Sequence, residues 1–159
     1  MRKLLSGGFA VFAGMVSLPA EISTGEARAA YHTPDYRDDP RLESLEKFFQ
    51  KGDCPAWQYA GAFLEAADIY ELDWRLLPSI SFVESTGGKA AANNNLFGWD
   101  SGHARFGSAI EGIHTVGYRL THSELYRGKN LDALLATYNP DRTYPPKVKW
   151  VMRQIASGQ

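Results

Sequence analysis

The sequence predicts a single mainly α-helical domain with at most a small β-hairpin lobe. Two kinds of observation carry this prediction. Apolar residues recur at steps of three and four along several stretches, the period of a helix that buries one face. The stretches also open and close on helix punctuation: Asp39-Pro40, Ser108 with Glu111 and Asn130 stand at starts, and Gly52 and Pro140 at ends.

Ahead of the domain, residues 1–29 read as an export signal. Arg2-Lys3 is a basic start, Leu4 to Ala20 is small and apolar, and Ala27-Arg28-Ala29 supplies an Ala-x-Ala cleavage site before Ala30, with Ala20 a second candidate end. The single cysteine, Cys54, lies too far downstream for a lipid anchor and allows no internal disulfide, so the exported fold is expected to hold by packing, with Cys54 as a small buried residue. The signal contains 3 of the 17 Lys and Arg and 2 of the 18 Asp and Glu, which leaves 14 and 16. That slight acidic excess gives no general attraction to nucleic acid or to an anionic membrane. The expectation is a monomer outside the cytoplasm, periplasmic or extracellular, with no stable membrane insertion once the signal is gone.

Residues 30–40 (AYHTPDYRDDP) read as an extended arm, and residues 41–159 as the domain. The first helix follows Asp39-Pro40 with Leu42, Leu45, Phe48 and Phe49 on its apolar face. A second runs from about Pro55 to Tyr70, with aromatics that include Trp57, Tyr59 and Phe63, apolar nearly all round and therefore expected to be central core. A third lies in Leu72 to Glu84, where Pro78 implies a kink or a late start. Ala90 to Ala92 predict a short helix or turn leading into the polar Asn93-Asn94-Asn95. Asp100 to Gly107 predict a turn-rich link or short hairpin anchored by Phe106. Ser108-Ala-Ile-Glu111 is a capping box, which makes Glu111 a cap rather than a second catalytic carboxylate. Asn130 caps a short helix that ends at Tyr138-Asn139-Pro140, and a last helix is expected after Tyr144-Pro145-Pro146. His103, His114 and His122 have no metal-ligand spacing, so neither metal nor cofactor is expected.

The stretch of greatest chemical interest is Leu72 to Gly98. An apolar helix runs into one carboxylate, Glu84, and stops at once in Ser85-Thr86-Gly87-Gly88. At a helix C-terminus the dipole disfavours negative charge, and Phe82 and Val83 desolvate it. Both effects favour the neutral acid, the form that can protonate a glycosidic oxygen.

Glu84-Ser85-x-Gly87-Gly88 followed by Asn95-Leu96-Phe97-Gly98 resembles the glucosaminidase branch of the lysozyme-like superfamily, which includes bacterial endo-β-N-acetylglucosaminidases and has goose-type lysozymes and lytic transglycosylases as more distant relatives. The resemblance spans roughly residues 59–155. Thr86 interrupts the tighter Glu-Ser-Gly pattern of the transglycosylases, and their Gly-Leu-Met-Gln run is absent; both features favour the glucosaminidase branch. The resemblance implies a lysozyme-like helical domain of the goose-type lysozyme and glucosaminidase kind that cleaves the N-acetylhexosamine backbone of peptidoglycan. It implies Glu84 as catalytic acid, the Asn-Leu-Phe-Gly segment with Ser85, Asn95 and Phe97 as a cleft wall, and Tyr138 as a phenol reaching back toward the acid, with Tyr144 the runner-up.

The residues themselves leave alternatives open. Asn95 either shapes its turn or bonds an N-acetyl group. Trp99, in a Gly-Trp-Asp-Ser-Gly turn, is expected to be partly exposed as a sugar platform. Asp100 either activates water as a second carboxylate or is a turn residue. Otherwise the 2-acetamido group or the 6-hydroxyl of the sugar attacks, the latter giving an anhydro product as in a lytic transglycosylase. A catalytically silent peptidoglycan-binding or envelope-scaffold domain is the rival from another class.

Overall fold

The computed structural model describes residues 34–156. The export-signal reading lies outside the described residues. Among them the chain forms six α-helices and one 3₁₀ turn. Among the described residues the β structure amounts to a single bridge, between Ala92 and Asn95, and residues 100–107 take the turn-rich form of the two that were open. No described helix is long and apolar enough to cross a membrane.

Helix α1 (Pro40–Lys51) starts where Asp39 accepts a hydrogen bond from the Arg41 amide. The arm ahead of it is fastened down. Tyr36 donates to Asp68 at 2.9 Å, and Arg41 forks onto the two oxygens of Asp68 at 2.8 and 3.0 Å while also holding Asp39.

The second predicted helix divides in two, a 3₁₀ turn over Pro55–Tyr59 and α2 over Ala60–Ile69. Three residues per turn instead of 3.6 changes the phase of the side chains. Phe63 is fully buried as expected, whereas Trp57 is 42% exposed, a correction to its placement in the core.

Helix α3 (Leu76–Ser85) takes the late start. Pro78 is its third residue, where no intrahelical N–H is required, and Asp73 accepts from the Arg75 amide just ahead of it. Leu76 through Ser81 are all buried, so α3 is the helix enclosed on every side. It packs most extensively on α6 (Tyr144–Ala156), while α2 packs on α4 (Ala109–His122), and α5 (Leu131–Tyr138) leans on α6. Helix α4 begins in the predicted box: Ser108 Oγ accepts from the Glu111 amide at 3.0 Å, and the Glu111 carboxylate accepts from the Gly107 amide at 2.9 Å. Helix α5 begins with Asn130 accepting from the Ala133 amide and ends at Tyr138. Helix α6 starts at Tyr144 itself, earlier than expected, because both prolines fit its first turn.

Three rings run through the core. Phe49 stacks on Phe63 at 5.9 Å, and Phe63 meets Phe97 edge-on at 6.4 Å. Phe97 is fully buried, so its side chain is a core anchor and not part of a cleft wall, a correction to the expectation above. Cys54 is buried within the same cluster, and burial raises its thiol pKa.

Candidate active site

The end of α3 is fixed from several directions. Thr86 takes a left-handed conformation, φ +53°, and the Thr86 and Gly87 amides return to the Phe82 and Ser81 carbonyls. Gly87 follows at φ +58°. A methyl group there would lie 2.8 Å from the Cys54 side chain and 3.0 Å from the Phe49 ring, so only glycine lets the turn sit down on the core. Ser85 is buried; its Oγ lies 2.7 Å from the Leu96 carbonyl and 3.1 Å from that of Ser81, and accepts from the Gly88 amide. It therefore fastens the helix end to the Asn-Leu-Phe-Gly turn, which corrects its assignment as a sugar contact.

That turn is held internally by asparagines. The Asn95 amide donates to the carbonyls of Trp99 and Ala104, and its oxygen accepts from the Trp99 amide at 3.0 Å. Buried with its amide engaged on both ends, Asn95 shapes the loop and has no donor left for an N-acetyl group. Asn94 donates to the Phe106 carbonyl, and Asn93 accepts from Arg105. Gly98, Asp100, Ser101 and Gly102 all have positive φ, so the chain coils tightly there.

This coil brings Gly98 against Glu84. A methyl group on Gly98, at φ +58°, would lie 2.8 Å from Glu84 Oε2. Glu84 itself is half-buried, and no lysine, arginine or histidine pairs with it among the described residues. It opens onto a cleft lobe of about 370 Å³, lined also by Ser85, Asn95, Gly98, Ser101 and Gly102. Gly98 and Ser101 also line a second lobe of about 440 Å³, with Trp99, Asp100, Arg119, Tyr126 and Tyr138. Each lobe is within the size range of a ligand site.

Trp99 is half-buried, as expected of a platform. It meets Tyr138 at 5.6 Å and Tyr126 at 6.2 Å, and the Arg119 guanidinium lies over its ring at 5.8 Å. The Tyr138 hydroxyl donates to the Phe97 carbonyl at 2.6 Å, which uses its one hydrogen on the turn. Its ring stacks on Tyr144 at 5.8 Å, the planes 7° apart. Tyr144 is 3% exposed, and its buried hydroxyl makes no hydrogen bond of ordinary geometry, although the Glu84 carboxylate is close enough to act on it. Burial first, and then charge from Glu84, push the Tyr138 pKa well up. Burial, then Tyr138, then Glu84 do the same to Tyr144. Both phenols remain neutral in ordinary buffers, and hydrogen bonding toward the Glu84 carboxylate is among the causes for Tyr144. Asp100 is exposed on the second lobe. Its carbonyl, rather than its carboxylate, closes the local turn by accepting from the His103 amide at 2.9 Å.

The fold thus places Glu84 on one cavity and Tyr138, Trp99 and Asp100 on a neighbouring one, with Gly98 and Ser101 shared between them, while Tyr144 is buried against Tyr138. It assigns Ser85 and Asn95 to scaffolding and removes Phe97 to the core. Arg119 and Tyr126 were not anticipated. A lone tyrosine in Thr121 to Gly128 was a weak signal for the second, and nothing local marked the first. No protein-family model matches the chain, and no curated protein matches it.

Proposed function

We propose that this is a lysozyme-like domain of the glucosaminidase kind, exported from the cytoplasm, that cleaves the N-acetylhexosamine backbone of peptidoglycan with Glu84 as general acid. One observation carries the reading: at the end of a buried helix a carboxylate with no cation partner among the described residues lines an open cavity, with Gly98 packed bare against it. Glu84 protonates the leaving oxygen as the glycosidic bond breaks and the sugar carbon gains oxocarbenium character. Trp99 offers its face to a pyranose ring. Tyr144 supplies a buried neutral phenol that acts on the acid from the protein side, and Tyr138 holds the turn that makes the wall.

The lobe that contains Glu84 is lined by no second carboxylate among the described residues. This favours attack by the substrate itself over water activated by a nearby base. The 2-acetamido group then gives a hydrolytic product, and the 6-hydroxyl an anhydro end of the lytic-transglycosylase type. Mass spectrometry of fragments from purified peptidoglycan separates the two, since anhydro ends are lighter by one water. Fragment release by a Glu84→Gln protein equal to that of the parent would remove Glu84 from the acid role.

A further inference from the structure

We propose that Arg119 reads a carboxylate on the substrate and makes the cleft selective for acidic, muramic-acid-containing strands over neutral N-acetylglucosamine chains. The inference rests on the glycan reading above and concerns the second lobe of the same cleft.

Arg119 stands in the last turn of α4, exposed, with its guanidinium over the Trp99 ring at 5.8 Å. Among the described residues no aspartate or glutamate forms an ion pair with it; the same holds for Arg105, Arg127, Arg142 and Arg153, and what sets Arg119 apart is its place beside Trp99 on this lobe. Asp100, the other charged side chain of that lobe, is exposed and does not pair with Arg119. At 5.8 Å from the indole centroid the guanidinium is in the outer range of a cation–π contact, which leaves the N–H groups of its edge available to a ligand. That edge matches a carboxylate in two parallel hydrogen bonds. Trp99, Tyr126 and Tyr138 line the same lobe with their rings inclined to one another, Trp99 more open than Tyr126, so a sugar seated against Trp99 brings a substituent carboxylate to the side where Arg119 stands. Neutral chitin-like chains carry no such group. Muramic acid carries a lactyl carboxylate, free when the stem peptide is gone, and an intact stem peptide carries carboxylates of its own.

The test measures binding in protein carrying Glu84→Gln, with and without Arg119→Gln. Three probes are used: chito-oligosaccharides, glycan strands stripped of peptide by an amidase, and strands that keep their stem peptides. Arg119→Gln is expected to lower affinity for acidic strands about tenfold, the scale of one lost charge-assisted hydrogen bond. Affinity for chito-oligosaccharides should stay within about twofold, as for a surface substitution. Loss confined to stripped strands identifies the lactyl carboxylate as the ligand, and loss confined to peptide-bearing strands a peptide carboxylate. Arg119→Lys, which keeps the charge without the fork, should recover part of the affinity. Equal loss on all three probes, the mark of a prop for Trp99, overturns the assignment, as does no loss on any. If the parent protein binds no glycan at all, the glycan reading fails as well, and that result is distinct from binding that Arg119→Gln leaves intact.

Discussion

Asp68 and Glu84 are both acidic side chains at the surface of the same helical domain, and they keep opposite company. Asp68 is held by a forked arginine and a phenol, with its pKa below the ordinary carboxylate value, first because of the hydrogen bonds from Arg41. Glu84 pairs with no cation among the described residues; a bare glycine lies against it, its charge acts on two tyrosines, and it lines an opening. A carboxylate whose task is structural is neutralised by its neighbours; one left without a counter-charge at a cleft is available for proton transfer.

Substitutions can break this contrast. The largest effect is expected from Glu84→Gln, which should reduce fragment release from purified peptidoglycan by about 10²–10⁴-fold, the worth of a positioned general acid. Its unfolding free energy should change by less than about 0.5 kcal/mol, since no ion pair is lost. A variant that loses stability and keeps activity would place Glu84 in the same class as Asp68. Gly98→Ala comes next. It forces a side chain into a left-handed position and onto Glu84 Oε2, so kcat should fall by roughly 10²-fold through misplacement of the acid, with about 1–2 kcal/mol lost in stability. Normal turnover by this variant would show that the Gly98 wall does not position the acid.

Asp68→Asn should do the converse. Activity is expected to hold, while chemical denaturation shows a loss of about 1 kcal/mol, typical of a partly exposed forked ion pair. The pH dependence has a definite sign. Asp39 and Asp68 both have depressed folded-state pKa values, so their stabilisation is present above the ordinary value of 3.8 and is lost as pH falls through the folded values. The denaturation midpoint of the parent should drop in that acid window, and more steeply than that of Asp68→Asn; parallel curves would remove the Arg41 clamp as the cause. The smallest effect is that of Thr86→Gly. It relieves a β-branched residue at φ +53° and should raise stability by about 1 kcal/mol in the same assay.

The helices were legible because their ends are written locally. Asp39, Ser108 and Asn130 each cap within three residues of themselves, and Pro78 and Pro145 fit first turns. The setting of Glu84 was legible for the same reason, as a helix that stops one residue after a lone glutamate. The wall was less so. Alternation along Asn95 to Trp99 does not say which aromatic faces inward. The Asn95 clamp decides it, sending Phe97 onto Phe63 and leaving Trp99 at the opening. Trp57 was misjudged because a 3₁₀ turn and an α-helix give different phases to the same apolar spacing. Arg119 reaches Trp99 only through the packing of α4 beside the loop, a relation between distant segments that no local pattern encodes.

The bond from the Tyr138 hydroxyl to the Phe97 carbonyl joins residues 41 positions apart in the chain. During synthesis that bond can form only once residue 138 has emerged, well after the loop itself. A Tyr138→Phe protein lacks the clasp, and its Gly98–Gly102 coil should be cut by a protease that leaves the parent protein intact there. Equal resistance in both would show that the coil closes without it. A loop made early in the chain is thus closed by a side chain that arrives late.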